Sequence, residues 1–236
     1  GKNLGIVGYG HIGSQVSILA EALGMNVFYY DIAKKLSLGK AVACSSLEEL
    51  LSLSHIVTLH VPETPLTRNM IGEKEILLMR WGSCLVNASR GSVVNIQALT
   101  SALESGRLLG AALDVFPDEP ASNNDPFQSE LQKYDNVILS PHVGGSTVEA
   151  QQNIGTEVAE KLVSYSDTGS TIGATNFVQL SLQPNNNAQR FLHIHKNEPG
   201  ILRAVNYVFT SRGINIAGEY LQTDSELGYV IVDTES

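Results

Sequence analysis

The sequence has few cysteines and few positive charges. Its two cysteines, Cys44 and Cys84, lie far apart and lack the spacing of a metal site. This excludes a disulfide-rich secreted scaffold and favours a reducing compartment, so we expect a cytoplasmic protein without a metal. Lys and Arg number 15 against 24 Asp and Glu, and the net charge of −9 opposes binding to nucleic acid or anionic membranes. No apolar run is long enough to cross a bilayer.

Short apolar runs alternate with helical patterns over residues 1–142. Six runs read as strands: NLGIVG, NVFYYD, HIVTLHV, SCLVNAS, LLGAALDV and NVILSPH. Between the first two, the spacing of Ile12, Val16, Leu19 and Leu23 predicts a helix that ends at Gly24. Strands that alternate with helices predict an α/β domain with a doubly wound parallel sheet of the Rossmann type.

The rest of the chain reads as a helix, a linker and a second, smaller module. Residues 143–165 predict a helix with apolar residues on one face, returning toward a substrate domain. Residues 166–189 are rich in Ser, Thr, Asn and Gly and predict a linker. Residues 190–236 predict a βαββ module that stops before a closing helix and strand. Because the chain also begins at Gly1, directly before a strand, we expect it to be a piece of a longer protein.

The segment GYGHIG contains the glycine spacing of a dinucleotide-binding loop. Gly8, Gly10 and Gly13 follow a predicted strand and open a predicted helix, so backbone N–H groups can face a pyrophosphate. Asp31 ends the second predicted strand, where a carboxylate can accept hydrogen bonds from the adenosine ribose. This pattern favours NAD over NADP, although Lys34 or Lys35 could reach a 2′-phosphate. The alternative is a glycine-rich turn in another α/β fold.

Three further segments follow predicted strands, at the edge where a parallel sheet binds its ligands. They are NASRGSVVN, DVFPDEP and PHVGGST. Together with GYGHIG and HIHKNEPG, in this order, they resemble the D-isomer-specific 2-hydroxyacid dehydrogenase family, and within it the members with a C-terminal ACT domain. The resemblance implies an NAD-dependent oxidoreductase.

The family's catalytic residues correspond to Arg90, Glu119 and His142. The resemblance implies that His142 removes the hydroxyl proton, a role suited to a side chain that titrates near neutral pH. Glu119 would orient the imidazole and stabilise its charged form. Arg90 would bind the substrate carboxylate or carbonyl oxygen. Taken singly, each residue also has a structural interpretation as a surface, capping or loop residue.

The resemblance also implies contacts to the cofactor. Asp114 is expected to face the nicotinamide carboxamide, although it could simply cap its strand. The other implied contacts lie in the glycine-rich loop and beside the catalytic residues: His11, Ile12, Ala88, Ser89, Arg90, His142, Gly144 and Gly145.

For substrate and effector, the resemblance implies 3-phosphoglycerate, a side activity that reduces 2-oxoglutarate, and feedback by L-serine in a homo-oligomer, a tetramer. His195, Asn197 and Asn215 would converge and bind serine between two ACT modules, although they could instead serve only turns and strand ends. The family's substrate domain comes mainly from a segment absent here, so the phosphate-binding residues are not visible. Two alternatives remain: a glyoxylate or hydroxypyruvate reductase, and a non-catalytic NAD-sensing protein like the corepressors of this superfamily.

Overall fold

The chain divides after Thr147 into two units in the computed structural model, which describes residues 1–122 and 125–235. The first unit covers Gly1–Thr147 and the second begins at Val148. Ser236, the last residue of the predicted βαββ module, lies outside the described residues. Within the described ranges, no helix is both long and apolar enough to span a membrane.

The first unit is built on one parallel sheet of seven strands in the order β3-β2-β1-β4-β5-β6-β7. The strands are β1 Asn3–Val7, β2 Asn26–Tyr30, β3 Val42–Ala43, β4 Ile56–Leu59, β5 Ser83–Asn87, β6 Leu108–Leu113 and β7 Val137–Leu139. The chain reverses its direction of travel across the sheet between β1 and β4, which opens a crevice at the carboxyl ends of the strands. The six predicted strands all form, whereas β3 has only two residues and no periodicity to reveal it.

Helices cover both faces of this sheet, as the doubly wound fold requires. They are α1 His11–Ala22, α2 Leu47–Leu53, α3 Glu73–Leu78 and α4 Ile96–Glu104. The neighbouring β1 residues Ile6 and Val7 belong to different clusters of buried side chains. Ile6 shares its cluster with Ala20 of α1, and Val7 shares the other with Leu50 and Leu51 of α2. Because successive strand residues point to opposite faces, α1 and α2 lie on opposite sides of β1.

Helix α1 approaches the sheet through small side chains. Its buried residues are Gly13, Ser17 and Ala20, whereas the large apolar residues that predicted the helix are mostly exposed: Ile12 at 66%, Leu19 at 65% and Leu23 at 82%. Gly24, at φ +77°, follows the helix in the left-handed conformation expected for its cap. The periodicity therefore identified the helix, but the contact with the sheet is made by its small-residue face.

The second unit combines one long helix with a three-stranded antiparallel sheet. Its elements are α5 Val148–Thr168, β8 Ala188–Lys196, α6 Ile201–Thr210, β9 Ile216–Thr223 and β10 Leu227–Glu235, and the strand order is β8-β10-β9. Phe209 of α6 packs with Val230 and Val232 on one face of the sheet. The strand–helix–strand–strand order is the predicted one.

The segment at 169–187, within the predicted linker, packs against the sheet. Val178 packs against Tyr229 and Ile231 on the face of β10 opposite α6. The Tyr229 hydroxyl also donates a 2.8 Å hydrogen bond to the Gly169 carbonyl. The physical reason is that β10 is the central strand and carries apolar side chains on both faces, so its second face also needs a cover.

A buried ion pair ties this sheet to the end of α5. Arg190 donates two hydrogen bonds, of 2.6 and 2.7 Å, to the Asp233 carboxylate, and a third of 2.8 Å to the Thr168 carbonyl. The hydrogen bonds from Arg190 hold the pKa of Asp233 below its usual value. Asp233 is buried and the Arg190 side chain is only 12% exposed, so the pair holds β8 and β10 to the carboxyl end of α5 in a site largely shielded from water.

Candidate active site

Three loops of the first unit meet at the carboxyl ends of β5, β6 and β7. Arg90, Glu119 and His142 come from these three loops and line one cavity of about 510 Å³. The cavity is also lined by Glu63 and Arg68, which form an exposed ion pair of 3.0 Å. Parallel strands place the ends of distant segments at one edge of the sheet, so the fold brings the three predicted residues together.

His142 and Glu119 form a hydrogen-bonded pair. The distance from His142 Nδ1 to Glu119 Oε2 is 2.7 Å, and the Phe116 N–H donates a 3.0 Å hydrogen bond to Glu119 Oε1. Partial burial by itself would raise the pKa of Glu119, but the hydrogen bonds from His142 and Phe116 outweigh it and lower the pKa. A charged Glu119 places the imidazole proton on Nδ1, so Nε2 is the nitrogen that can exchange a proton with a bound molecule.

The backbone of His142 adopts a left-handed conformation with φ +52°. Its N–H donates a 3.0 Å hydrogen bond to the Ser140 carbonyl, which closes a γ-turn centred on Pro141. Left-handed backbone costs a residue with a side chain about 1–2 kcal/mol. Neighbouring contacts must therefore hold His142 in this conformation, a form of local strain that is common at functional sites.

Asp114 supplies contacts of this kind. Its Oδ1 accepts hydrogen bonds from the Ser140 hydroxyl at 2.6 Å and the Val143 N–H at 3.0 Å, and its Oδ2 accepts one from the Gly144 N–H at 2.9 Å. Partial burial would raise the pKa of Asp114, but the hydrogen bonds from Ser140, Val143 and Gly144, with the charge of His142, lower it. In this structure Asp114 therefore binds the His142 loop, and Ser140, which has no signal of its own in the sequence, is one of its partners.

The loop that carries Arg90 is organised by Asn87 at the end of β5. The buried Asn87 side chain donates a 2.9 Å hydrogen bond to the Arg90 carbonyl and accepts bonds from the backbone and hydroxyl of Ser89. The Arg90 guanidinium donates a 2.6 Å bond to the Ser89 carbonyl. Asn87 was not predicted as a site residue, although an asparagine directly after an apolar strand is a recognised signal for such a turn.

Gly91 lets this loop touch the loop that carries Glu119. A Cβ atom at Gly91 would lie 2.0 Å from the carbonyl carbon and oxygen of Phe116. No other residue type fits between two backbones at that distance, so the contact explains why glycine follows Arg90.

The glycine-rich loop has one glycine for each of three geometric needs. Gly8 has φ +90°, and a Cβ atom there would lie 2.4 Å from the His60 carbonyl oxygen. A Cβ atom at Gly13 would lie 2.1 Å from the Gly8 carbonyl oxygen, whereas one at Gly10 would meet nothing within 4 Å. The first and third glycines therefore make the turn and the close helix packing, and the second leaves an open surface before α1.

Asp31 lies beside this loop at the end of β2. Its Oδ2 accepts a 2.8 Å hydrogen bond from the Tyr9 N–H, and its Oδ1 accepts one of 2.8 Å from the Ala33 N–H. The Tyr9 ring stacks on Tyr29 with centroids 3.7 Å apart. Tyr9, which was not predicted, thus fixes the carboxylate relative to the glycine-rich loop.

The residues around the loop fit a bound NAD. His11 and Ile12 begin α1 and are exposed, and the open face at Gly10 gives a pyrophosphate room to reach the helix N-terminus. Asp31 retains acceptor capacity for a ribose diol, because each of its oxygens can accept a further hydrogen bond. Ala88, Gly144 and Gly145 lie on the loops after β5 and β7 at the same edge of the sheet.

The three residues predicted to bind an effector do not converge within one chain. His195 pairs with Gly228 near the start of β10, whereas Asn215 precedes Ile216, which pairs with Thr234 near its end. Gly228 and Thr234 are six residues apart along β10, which corresponds to roughly 20 Å of strand. Within one module, the antiparallel order therefore puts Asn215 at the opposite end of the sheet from His195 and Asn197.

The side chains of Asn197 and His195 differ in their hydrogen bonding. Asn197 donates a 2.7 Å hydrogen bond from its side chain to the Asp224 carbonyl and thereby holds the turn between β9 and β10. His195 Nδ1 is buried and has no hydrogen-bond partner among the described residues. His195 therefore has an unmet hydrogen-bonding group, whereas Asn197 already has a structural role.

Comparison with curated proteins gives long matches. The chain is 58% identical over 236 residues to the D-3-phosphoglycerate dehydrogenase of Escherichia coli strain K12, covering all of this chain and 57% of that protein. It is 50% identical over 236 residues to the enzyme of the same name from Dictyostelium discoideum, covering 58% of it. The chain thus spans less than two thirds of the length of these relatives.

Solved structures share the fold of the larger unit. The NAD-complexed D-isomer specific 2-hydroxyacid dehydrogenase of Lactobacillus delbrueckii ssp. bulgaricus has a TM-score of 0.65 and 29% identity, covering 74% of this chain and 56% of that one. The D-lactate dehydrogenase of Aquifex aeolicus, complexed with NAD and lactic acid, has a TM-score of 0.61 and 35% identity, covering 70% and 53%.

Family assignments agree with the division into two units. Residues 191–236 match the ACT domain of the type found in the AHAS small subunit. Residues 1–144 match the NAD-binding domain of the D-isomer specific 2-hydroxyacid dehydrogenases, so NAD is the cofactor and the chain belongs to that family.

Proposed function

We propose that this chain is the cofactor-binding and regulatory part of an NAD-dependent D-3-phosphoglycerate dehydrogenase. The enzyme would oxidise 3-phospho-D-glycerate to 3-phosphooxypyruvate, the first step of L-serine biosynthesis. The observation that carries the proposal is the 2.7 Å contact between His142 and Glu119 in a cavity that Arg90 also lines. The names of the curated relatives support the choice of substrate.

Each of the three residues has a distinct task in this reaction. Bound NAD supplies the acceptor for the hydride that leaves C2 of the substrate. His142 Nε2 takes the proton of the C2 hydroxyl, and Glu119 stabilises the imidazolium that results. The Arg90 guanidinium binds the substrate carboxylate and holds C2 in position.

Replacing His142 tests this proposal in the native protein that contains the chain. In His142→Ala we expect turnover to fall by roughly 10²–10⁴, as for the loss of a general base, while the Kd for NADH stays near the wild-type value. His55→Ala is a suitable control, because His55 Nδ1 accepts a hydrogen bond from the Asn3 N–H at the opposite edge of the sheet. Normal turnover in His142→Ala, or an equal loss of NADH binding, would contradict the proposed role.

A second test uses the 236-residue chain on its own. Because its first unit carries the complete glycine-rich loop and Asp31, we expect it to bind NADH. We expect no turnover of 3-phosphoglycerate, since the chain spans only 57% of the E. coli relative and the resemblance places the substrate-binding segment outside it. Steady-state turnover at the level of an ordinary dehydrogenase would refute this expectation.

Substrate assays separate the proposed activity from its alternatives. A 3-phosphoglycerate dehydrogenase should also reduce 2-oxoglutarate to 2-hydroxyglutarate, because Arg90 and His142 would contact its carboxylate and carbonyl alike. Higher kcat/KM with glyoxylate or hydroxypyruvate would identify a reductase of the same family. Negligible turnover with all of these, combined with NAD-dependent binding of another protein, would identify a sensor.

We further propose that L-serine inhibits the enzyme at a site shared by the ACT modules of two copies, in a cytoplasmic homotetramer. The separation of His195 from Asn215 supports a shared site, because residues at opposite ends of one sheet can meet only across two copies. Inhibition by L-serine but not D-serine is expected, and the double variant Asn197→Ala, Asn215→Ala should lose it. Full serine sensitivity in that variant would refute the site.

A further inference from the structure

The loop that carries His142 is bound to the sheet chiefly through Asp114. Asp114 directly follows β6, and its N–H donates a 2.9 Å hydrogen bond to the Asn87 carbonyl of β5. Its carboxylate then accepts three hydrogen bonds, from Ser140, Val143 and Gly144. A side chain on the end of one strand therefore contacts residues on both sides of His142 in the loop after the next strand.

Ser140 forms three hydrogen bonds in this arrangement, through its hydroxyl, its carbonyl and its N–H. Its hydroxyl donates the 2.6 Å hydrogen bond to Asp114 Oδ1, and its carbonyl accepts the N–H of His142 at 3.0 Å. Its own N–H donates to the Leu113 carbonyl at 3.0 Å, which fixes Ser140 to the end of β6. Ser140 thus bonds both the Asp114 carboxylate and the backbone N–H of His142.

These contacts oppose the relaxation of a strained backbone. A histidine at φ +52° can relieve its strain by moving to negative φ. That rotation would change the direction of the Cα–Cβ bond and withdraw Nδ1 from Glu119, because the 2.7 Å contact requires the present orientation. The loop is also closely packed against Asp114 on the C-terminal side of His142, since a Cβ atom at Gly144 would lie 3.1 Å from Asp114 Oδ2.

We propose that Ser140 is a positioning residue, whose hydroxyl aligns Asp114 so that the loop holds His142 against Glu119. This inference rests on the proposed dehydrogenase activity, since it concerns the proton acceptor of that reaction. Ser140 has no contact with substrate in this scheme. Its loss should therefore lower kcat while leaving substrate and cofactor affinity nearly intact.

The test compares Ser140→Ala with Ser140→Thr in the native protein. We expect Ser140→Ala to lower kcat about tenfold or more, because small displacements of a catalytic group are costly, with KM and the NADH Kd within about threefold of wild type. Ser140→Thr keeps the hydroxyl and should restore kcat. Ser146→Ala is the matched control, because the Ser146 hydroxyl donates to the His142 carbonyl at 3.1 Å in the same loop and is not bonded to Asp114.

A measurement besides activity uses the 236-residue chain itself. The proton that His142 Nδ1 shares with Glu119 should give a downfield NMR resonance, which is expected to disappear in Ser140→Ala and to return in Ser140→Thr. If Ser140→Ala does not fold, Ser140→Cys, a near-isostere with a weak donor, takes its place and should show the same loss.

The outcomes separate this inference from the proposed function. Wild-type kcat and an unchanged resonance in Ser140→Ala, with inactive His142→Ala, would overturn the inference and leave the function intact. An equal loss in Ser146→Ala would also overturn it, because the effect would then come from general loosening of the loop. Active His142→Ala would refute the proposed function itself.

Discussion

Two glycines in the same loop should respond to alanine in opposite ways. In Gly8→Ala, the added methyl group would lie 2.4 Å from the His60 carbonyl oxygen, on a backbone held at φ +90°. In Gly10→Ala, the methyl group would meet no atom of the chain within 4 Å, and φ is −84°. Gly8→Ala should therefore damage the fold, whereas Gly10→Ala should block only what approaches the loop from outside.

The magnitudes separate the two variants. The left-handed conformation costs an alanine about 1–2 kcal/mol, and overpacking costs about 1–3 kcal/mol. Gly8→Ala should thus lower the free energy of unfolding by about 2–5 kcal/mol. Gly10 is the N-cap of α1, where alanine is less favourable than glycine by no more than about 1 kcal/mol. In Gly10→Ala the methyl group should instead displace the pyrophosphate and raise the NADH Kd tenfold or more, or about 1.4 kcal/mol.

Urea unfolding followed by circular dichroism measures the first quantity, and titration of NADH fluorescence measures the second. Each variant serves as the control for the other, because the two sites are two residues apart in one loop. An unchanged NADH Kd in Gly10→Ala would refute the assignment of the open face to the pyrophosphate. Unfolding of Gly8→Ala at the wild-type urea midpoint would refute the steric argument.

Three further predictions follow from individual contacts. Asp31→Ala should weaken NAD binding and narrow its advantage over NADP, measured as the ratio of the two Kd values; an unchanged ratio would contradict the ribose contact. Asp233→Asn should destabilise the chain by about 3–5 kcal/mol in urea unfolding, because it leaves the Arg190 charge without its buried partner. Arg190 lowers the pKa of Asp233 in the folded state, so the ion pair stabilises the fold above the usual aspartate pKa. This contribution to the free energy of unfolding is lost as the pH falls through the lowered pKa. Below about pH 4, the wild type should therefore lose stability more steeply than Asp233→Asn. Gly91→Ala should force the Arg90 loop away from Phe116 and lower kcat in the native protein, whereas Gly155→Ala in α5, where a Cβ atom meets nothing within 4 Å, should leave kcat near the wild-type value.

Local signals were sufficient for the elements and for the position of the site. Apolar runs identified the six longer strands of the first sheet, since a parallel strand covered on both faces needs continuous apolar residues. The glycine spacing and Asp31 identified the cofactor loop, because the turn and the close helix packing admit no other residue at Gly8 and Gly13. The order of the motifs placed Arg90, Glu119 and His142 at the ends of three neighbouring strands.

Contacts between distant segments were not accessible from these signals. The bond from Ser140 to Asp114 depends on which loops the sheet brings side by side and on the register of β6 and β7. Polar residues of this kind look the same in the sequence whether they face solvent or a carboxylate.

Tertiary packing also determined which segments cover the faces of the two sheets and which distant residues lie close together. The apolar periodicity was enough to predict that α1 is a helix, but packing selected Ser17 and Ala20 as its inner face, because the sheet is too close for larger side chains. The segment at 169–187 has the composition of a linker, yet Val178 is buried because the central strand β10 is apolar on both sides. His195 lies near the end of β8 and Asn215 directly precedes β9, and the antiparallel order of the strands separates them, since pairing rather than chain distance sets which residues meet.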